Sequence, residues 1–207
     1  MRSRWIRDRK RDYYYRLAKA EGYRSRAAYK LIQINKKFGV IKRGNAVIDL
    51  GCSPGGWSQV ASMLVGKAGM VIGVDIQGML QIPGVRFIRG DAECDDTLEK
   101  IAAVLAEEGR DSVDVVLSDM SPRISGHYDY DHANSIYLAR IAHRIAKRFL
   151  KRNGNLVIKV FDGDMLQDFL KDLRGDFSKV DIYRPKASRK SSSEVYIICR
   201  GFSPKGR

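Results

Sequence analysis

From residue 46 onward, short and almost wholly apolar runs alternate with longer segments whose apolar residues recur every three or four positions. The runs at 46–50, 70–75, 85–89, 114–118, 155–161, 178–183 and 195–200 are rich in Val and Ile, which predicts strands. Several carry no polar alternation, the mark of strands covered on both faces. The segments 56–65, 95–108, 132–151 and 165–173 have helical spacing. Another amphipathic helix follows Ser25, its candidate N-cap, with Ala28, Leu31, Ile32 and Phe38 on the apolar side. A β-α-β-α rhythm predicts an α/β fold, a mostly parallel sheet with helices on both faces. The link 184–193 is polar and has no helical pattern, so the last two strands are expected to form an antiparallel pair at one end of the sheet. No repeat or linker divides the 207 residues. One domain is expected, with a basic arm at 1–24, a core at 25–200 and a tail at 201–207.

Charge changes this picture. Lys and Arg total 38 against 24 Asp and Glu, a net +14 with pI near 9.8. The first 30 residues hold eleven basic side chains and three acidic ones. There Arg2, Arg4, Arg7, Arg9, Lys10 and Arg11 lead into Tyr13, Tyr14 and Tyr15, and then Arg24 and Arg26. Cations interleaved with aromatics suit phosphate contacts and base stacking, so the expected partner is a nucleic acid. The alternative for the tyrosines is packing on the domain. Arg184, Lys186, Arg189 and Lys190 are expected to extend the same surface. Cys52, Cys94 and Cys199 form no CxxC pair, and His127, His132 and His143 show no metal-ligand spacing. His127 and His132, beside a predicted loop, are expected at the surface. With no secretory h-region or membrane-length apolar run, a cytoplasmic monomer without metal is expected.

The strongest local motif is Val47-Ile48-Asp49-Leu50-Gly51-Cys52-Ser53-Pro54-Gly55-Gly56-Trp57. A buried strand ends in Asp49-Leu50-Gly51, and a glycine-rich turn then opens a helix, as at ligand sites on the carboxyl ends of α/β strands. The spacing is not GxGxxG and no P-loop lysine follows, which disfavours dinucleotides and nucleoside triphosphates. Asp75 closes the second strand, where a carboxylate can accept from both ribose hydroxyls of an adenosine. Asp91, after the third strand, is placed to accept from an adenine amino group. Each is weak alone, since acids after strands often cap turns. Together Asp49-Leu50-Gly51, Asp75 and Asp91, at three successive strand ends, point to S-adenosyl-L-methionine, with Gly55 and Gly56 in the turn beside it. Trp57 is assigned either to the methionine side of that donor or to packing.

Lys159 stands inside Leu156-Val157-Ile158-Lys159-Val160-Phe161, otherwise a doubly buried strand; a lysine there is rare unless paired or functional. Asp119 follows the fourth strand. Glu194 opens the last one, and an antiparallel course brings it to the same rim. Lys30, on the helix after Ser25, is placed to cover that rim. A purely structural ion-pair network is the alternative reading.

At these residues the chain resembles the FtsJ/RrmJ-type ribose 2′-O-methyltransferases of ribosomal RNA. The resemblance runs from Ser25-Arg26-Ala27-Ala28-Tyr29-Lys30-Leu31 through Glu194. It includes Pro54-Gly55-Gly56-Trp57-Ser58-Gln59, Ser118-Asp119-Met120-Ser121-Pro122 and Lys159-Val160-Phe161. It implies a Rossmann-like methyltransferase fold and a catalytic tetrad of Lys30, Asp119, Lys159 and Glu194. It also implies donor contacts at Gly55, Trp57, Asp75, Asp91 and Asp119. The implied reaction is methylation of a ribose 2′-hydroxyl, on a uridine of large-subunit ribosomal RNA, either free or within the subunit. Cys52-Ser53 departs from the two alanines common in bacterial relatives. Transfer RNA or an mRNA cap is the alternative substrate, and an RNA-binding ribosome-assembly factor the non-enzymatic alternative. Methylation of a base amine is disfavoured, because Asp119-Met120-Ser121-Pro122 lacks an Asn/Asp-Pro-Pro-aromatic clamp. If the arm contacts phosphates, RNA binding weakens steeply with salt, and deleting residues 1–11 makes a plot of log Kd against log salt shallower. An unchanged slope excludes the arm from the interface.

Overall fold

A computed structural model describes residues 12–189 and 191–203. The predicted strands all form: β1 (Ala46–Leu50), β2 (Met70–Asp75), β3 (Val85–Arg89), β4 (Val113–Ser118), β5 (Leu150–Phe161), β6 (Phe177–Tyr183) and β7 (Glu194–Phe202). The described helices are α1 (Tyr13–Ala20), α2 (Ala28–Phe38), α3 (Gly56–Val65), α4 (Asp95–Glu107), α5 (Tyr128–Phe149) and α6 (Leu166–Asp176). The strands make one sheet of order β3-β2-β1-β4-β5-β7-β6. β3, β2, β1, β4 and β5 pair in parallel, whereas β7 is antiparallel to both β5 and β6. The expected antiparallel pair therefore exists, and β7 is inserted between β5 and β6.

Alternation along each strand divides the core in two. Val47, Val115, Leu117 and Val157 face α2 and α3, where Leu31, Ile34 and Val60 cover them. Their neighbours Ile48, Val116 and Ile158 face α4, α5 and α6. Both faces are dry, which is why these strands read as unbroken apolar runs. The chain winds outward from β1 to β3 and then returns to β4 beside β1. Such a reversal opens a crevice at the carboxyl ends of the strands. Lys159, two residues beyond Val157, lies on the α2/α3 side at that end.

Several boundaries differ from expectation, each for a local reason. α2 begins at Ala28, and Ser25 is not its N-cap; the Ser25 carbonyl accepts from the Ala28 amide in a preceding turn. Part of the expected arm is helix α1, capped by Asp12, whose carboxylate accepts from the Tyr15 amide. Tyr14 packs on Tyr29 at 5.4 Å between ring centroids, while Tyr13 is exposed. The basic residues 2–11 and Lys190 lie outside the described residues. α5 starts four residues before the expected position, at Tyr128, and this turns His132 inward. Instead of a surface group it is a buried one, its Nε2 accepting from the Met165 amide and its Nδ1 bonded to the Phe161 carbonyl. β5 starts at Leu150, where helix was expected to persist. Its pairing slips between Val113 and Val115, next to Asn153 with a left-handed φ of 62°. No described helix is long and apolar enough to cross a membrane.

Because β4 lies at the centre of this packing, Leu117→Ala should cost about 2–5 kcal/mol of unfolding free energy, measured by urea denaturation. A cost below 1 kcal/mol would show that the two-sided core does not support the site's central strand.

Candidate active site

Four strand ends meet around a cavity of about 390 Å³, of the size that small-molecule sites usually have. Its wall includes Gly51, Asp75, Asp91, Glu93, Asp119 and Met120. Among the described residues, four carboxylates and no Lys or Arg line it, although the protein as a whole carries +14. A phosphate would meet repulsion here, whereas a cationic ligand would meet attraction.

The carboxylates are held by the backbone. Asp75 Oδ2 accepts from the Ser53 amide at 2.9 Å and Oδ1 from the Gln77 amide at 2.7 Å. Each oxygen keeps a lone pair for a ligand hydroxyl. Asp91 uses Oδ1 for the Glu93 amide, 3.0 Å away. Gly51 adopts φ 70°, and a Cβ there would stand 2.7 Å from Met120 Cγ and 3.0 Å from Met120 Cα. Only glycine lets the β1 turn approach the loop after β4 this closely.

Four of the eight expected donor residues thus reach the cavity wall: Gly51, Asp75, Asp91 and Asp119. Asp49, Gly55, Gly56 and Trp57 do not. Gly56 packs against Ser25, and Gly55 sits against Ile82, Met79 and Arg24. Trp57 is buried in the α2/α3 core, its indole N–H donating to the Ala27 carbonyl at 2.9 Å and its ring 5.6 Å from that of Tyr196. Of the two assignments open for Trp57, its side chain makes the packing one. Asp49 is fully buried, with Ser58 donating to Oδ2 at 2.6 Å and Oδ1 without a partner. Burial pushes its carboxyl up to about 7 against the opposing Ser58 hydrogen bond, with Asp119 and Asp75 adding to the rise.

Beyond Asp119 lies the second cluster. Lys159 Nζ donates to the Asp119 carbonyl at 2.7 Å and stands 3.2 Å from Asp119 Oδ1. Lys30 Nζ is 2.5 Å from Glu194 Oε1. The topology explains the meeting. In the antiparallel register Phe161 faces Glu194 and Lys159 faces Tyr196, so the start of β7 lies at the end of β5. α2 then carries Lys30 across the same edge. All four expected residues converge, and Asp119 belongs to both cavity and cluster.

Sequence reasoning missed Tyr196. Its hydroxyl donates to Asp119 Oδ1 at 2.9 Å, and Lys30 Nζ lies 5.6 Å from its ring centroid. Nothing in Val195-Tyr196-Ile197 set it apart from a packing tyrosine. Burial, together with the charges of Asp119 and Glu194, raises its phenol well above the usual value, so it stays a donor. Burial alone would raise Asp119. Lys159, Lys30 and the Tyr196 hydrogen bond outweigh it and hold Asp119 below the usual carboxylate range. Asp119 is therefore a permanent anion near neutral pH.

Arg184, Lys186 and Arg189 are exposed, as expected, and Arg189 lies 3.6 Å from Asp12. Arg26 pairs with the same carboxylate and also donates to the Ala187 carbonyl. α1 is thereby fastened to the segment that leads into Glu194.

The sequence matches the model of the FtsJ-like methyltransferase family over residues 23–202. Archaeal proteins named ribosomal RNA large subunit methyltransferase E are among its relatives. The one from Methanosarcina mazei is 53% identical over 196 residues, covering 95% of this chain and 71% of the relative. That from Methanocaldococcus jannaschii is 50% identical, with coverage of 98% and 83%. That from Methanothermobacter thermautotrophicus is 48% identical, with coverage of 99% and 96%. A crystal structure assigned to a ribosomal RNA methyltransferase of Plasmodium falciparum superposes with a TM-score of 0.78 at 30% identity, covering 87% of this chain and 98% of that one. The fibrillarin/Nop5p complex has a chain that aligns with a TM-score of 0.60 at 19% identity, covering 86% of this chain and 85% of its own, a likeness of fold alone. These likenesses bear out the Rossmann-like methyltransferase fold expected from the sequence.

The raised Asp49 carboxyl has a consequence for stability. An unfolded aspartate releases its proton near pH ~3.9, whereas Asp49 in the fold releases it near pH 7. Its stabilising contribution is full below the lower value and is lost as pH rises through the upper one. Asp49→Asn should therefore flatten the fall of Tm between about pH 4 and pH 7 relative to wild type. Parallel Tm profiles for the two proteins would show that Asp49 titrates normally.

Proposed function

We propose that this chain, which belongs to the FtsJ-like methyltransferase family, transfers a methyl group from S-adenosyl-L-methionine to a ribose 2′-hydroxyl of large-subunit ribosomal RNA. The methylated nucleotide is assigned as a uridine. One observation carries the reading: a cavity lined by four carboxylates, and by no Lys or Arg among the described residues, shares Asp119 with a largely buried cluster of two lysines and two carboxylates.

The acidic wall fits this donor. Asp75 has lone pairs left for two ribose hydroxyls, Asp91 has an oxygen left for an amine, and the carboxylates favour a sulfonium and an ammonium. When bound, the donor supplies an activated methyl, so the protein's task is to align an oxygen and take away its proton.

Lys159 is the group for that task. Of the four tetrahedral directions at Nζ, one holds Cε and two point at the carbonyl and carboxylate oxygens of Asp119. With Nζ as a neutral amine, the remaining direction would carry its lone pair to the 2′-hydroxyl. Nζ would then take up that proton while the oxygen gains the methyl and the methyl–sulfur bond is given up, its electron pair staying on sulfur. Asp119 keeps Lys159 aimed, and the Tyr196 hydroxyl fixes Asp119 in turn. Lys30 and Glu194 close the rim beside the incoming ribose. Holding the reactants in line contributes roughly 7–11 kcal/mol, and the positioned base a further 10²–10⁴-fold or so. The basic surface gathers the polyanion, while the acidic cavity keeps phosphate out of the donor's place.

Lys159→Ala should lower methyl transfer by about 10²–10⁴-fold while calorimetry shows donor affinity little changed. Tritium from labelled donor should enter large-subunit ribosomal RNA at a uridine and make that position resistant to alkali, because a methylated 2′-oxygen cannot attack its phosphate. Label in an alkali-labile position, in transfer RNA alone, or undiminished in Lys159→Ala would refute the assignment.

A further inference from the structure

A second concavity, of about 370 Å³, is lined by Ile124, Tyr128, Phe161, Ser191, Ser192 and Ser193, among others. It borders the tetrad. Ser193 precedes Glu194, and Phe161 pairs with Glu194 in the sheet two residues beyond Lys159. We propose that this concavity receives the base of the very nucleotide whose 2′-oxygen is methylated, with Tyr128 as its stacking platform. The inference rests on the ribose reading above and adds the substrate's base to it.

Covalent geometry sets the neighbourhood. The base is attached to the sugar carbon next to the one that bears the 2′-oxygen. A hydroxyl held at Lys159 therefore leaves its base only a few bond lengths away. The donor cavity is on one side of Asp119. A third concavity shares Ser121 and Leu138 with that cavity and has no lining residue from β5 or β7. The space beside Phe161 and Ser193 adjoins Glu194 and the end of β5 that carries Lys159.

Tyr128 is built as a platform. It is 58% exposed, yet fixed at both ends. Its ring lies parallel to the His132 imidazole, 10° apart with centroids at 6.3 Å, and its hydroxyl donates to the Asp162 carbonyl at 2.5 Å. His132 is locked as well. Its Nε2 accepts from the Met165 amide, which leaves Nδ1–H to donate to the Phe161 carbonyl. A Cβ on Gly163 would come within 2.7 Å of that imidazole, so the chain passes under it only as glycine. An exposed aromatic already immobilised gives up little side-chain entropy when a base stacks on it.

The polar groups around it divide the work. Asp131 is occupied by the Ser125 amide and hydroxyl and by the Gly126 amide, and so anchors the loop that carries Ile124. Ser191, Ser192 and Ser193 contribute hydroxyls that both donate and accept, as the edge of a base requires.

The test uses an rRNA fragment that spans the methylated nucleotide, either intact or lacking only that nucleotide's base. Tyr128→Ala should lower kcat/KM on intact RNA by roughly 5- to 150-fold, the loss of one base–aromatic stack. Wild type should lose a similar factor on the abasic fragment, and the two changes together should cost no more than either alone. Tyr128→Phe, which keeps the ring, should retain most of the activity, and donor affinity should be the same in every variant. Independent, multiplying losses would overturn the proposal, as would full activity of Tyr128→Ala or a matching loss only when a neighbouring base is removed. A wild-type enzyme that labels no ribose would instead sink the function on which the proposal stands.

Discussion

The contact between Lys159 and Asp119 is the constraint around which the rest is arranged. A lysine in a strand buried on both sides is tolerated only if its nitrogen finds acceptors, and both come from Asp119, the residue that follows β4. Because Asp119 also lines the acidic cavity, this contact ties that cavity to the polar cluster on the next strand. Tyr196 on β7 supports the aspartate, and Glu194, two residues earlier, holds Lys30. Removing one member of such a buried network leaves an unpaired charge, a situation that costs roughly 3–5 kcal/mol. The tetrad is therefore also a clasp between β4, β5, β7 and α2.

The division of charge is the second organising feature. The chain carries an excess of cations, but among the described residues none lines the cavity between Asp75, Asp91 and Asp119. Long-range attraction for a polyanion and short-range preference for a cation thus belong to different parts of the protein. Asp49 carries the cost of this arrangement. It is buried near other acids, with one oxygen unpartnered among the described residues and its carboxyl raised to about 7.

Much of the fold was legible along the chain because both sheet faces are dry. Unbroken Val/Ile runs marked the central strands, shorter mixed runs such as Val85–Arg89 marked those at the sheet's edges, and the spacing of apolar residues marked the helices. Asp49-Leu50-Gly51, Asp75 and Asp91 announced strand ends, and Lys159 announced itself by being charged where its neighbours are not. The boundaries that shifted did so where long-range contacts decide. His132 reads as a loop-side polar residue until the backbone groups of Phe161 and Met165, about thirty residues away, bond its two nitrogens. The extra residues at the start of β5 surround a left-handed Asn153 and a slip in register, neither of which periodicity reports.

By itself, the order of residues determined which segments are strands, that the sheet is mostly parallel, and which charged groups are too costly to bury without a purpose. Those properties are local, set by the free energy of placing each side chain in water or in an apolar core. Only the tertiary structure decided that β7 slides between β5 and β6, which puts Tyr196 under Asp119 and Glu194 beside Lys30. It also decided that Trp57 packs in the core away from the cavity, and that Tyr128 lies braced on His132. Pairing across the sheet and distances between side chains arise from parts of the chain far apart in sequence, and no single segment carries them.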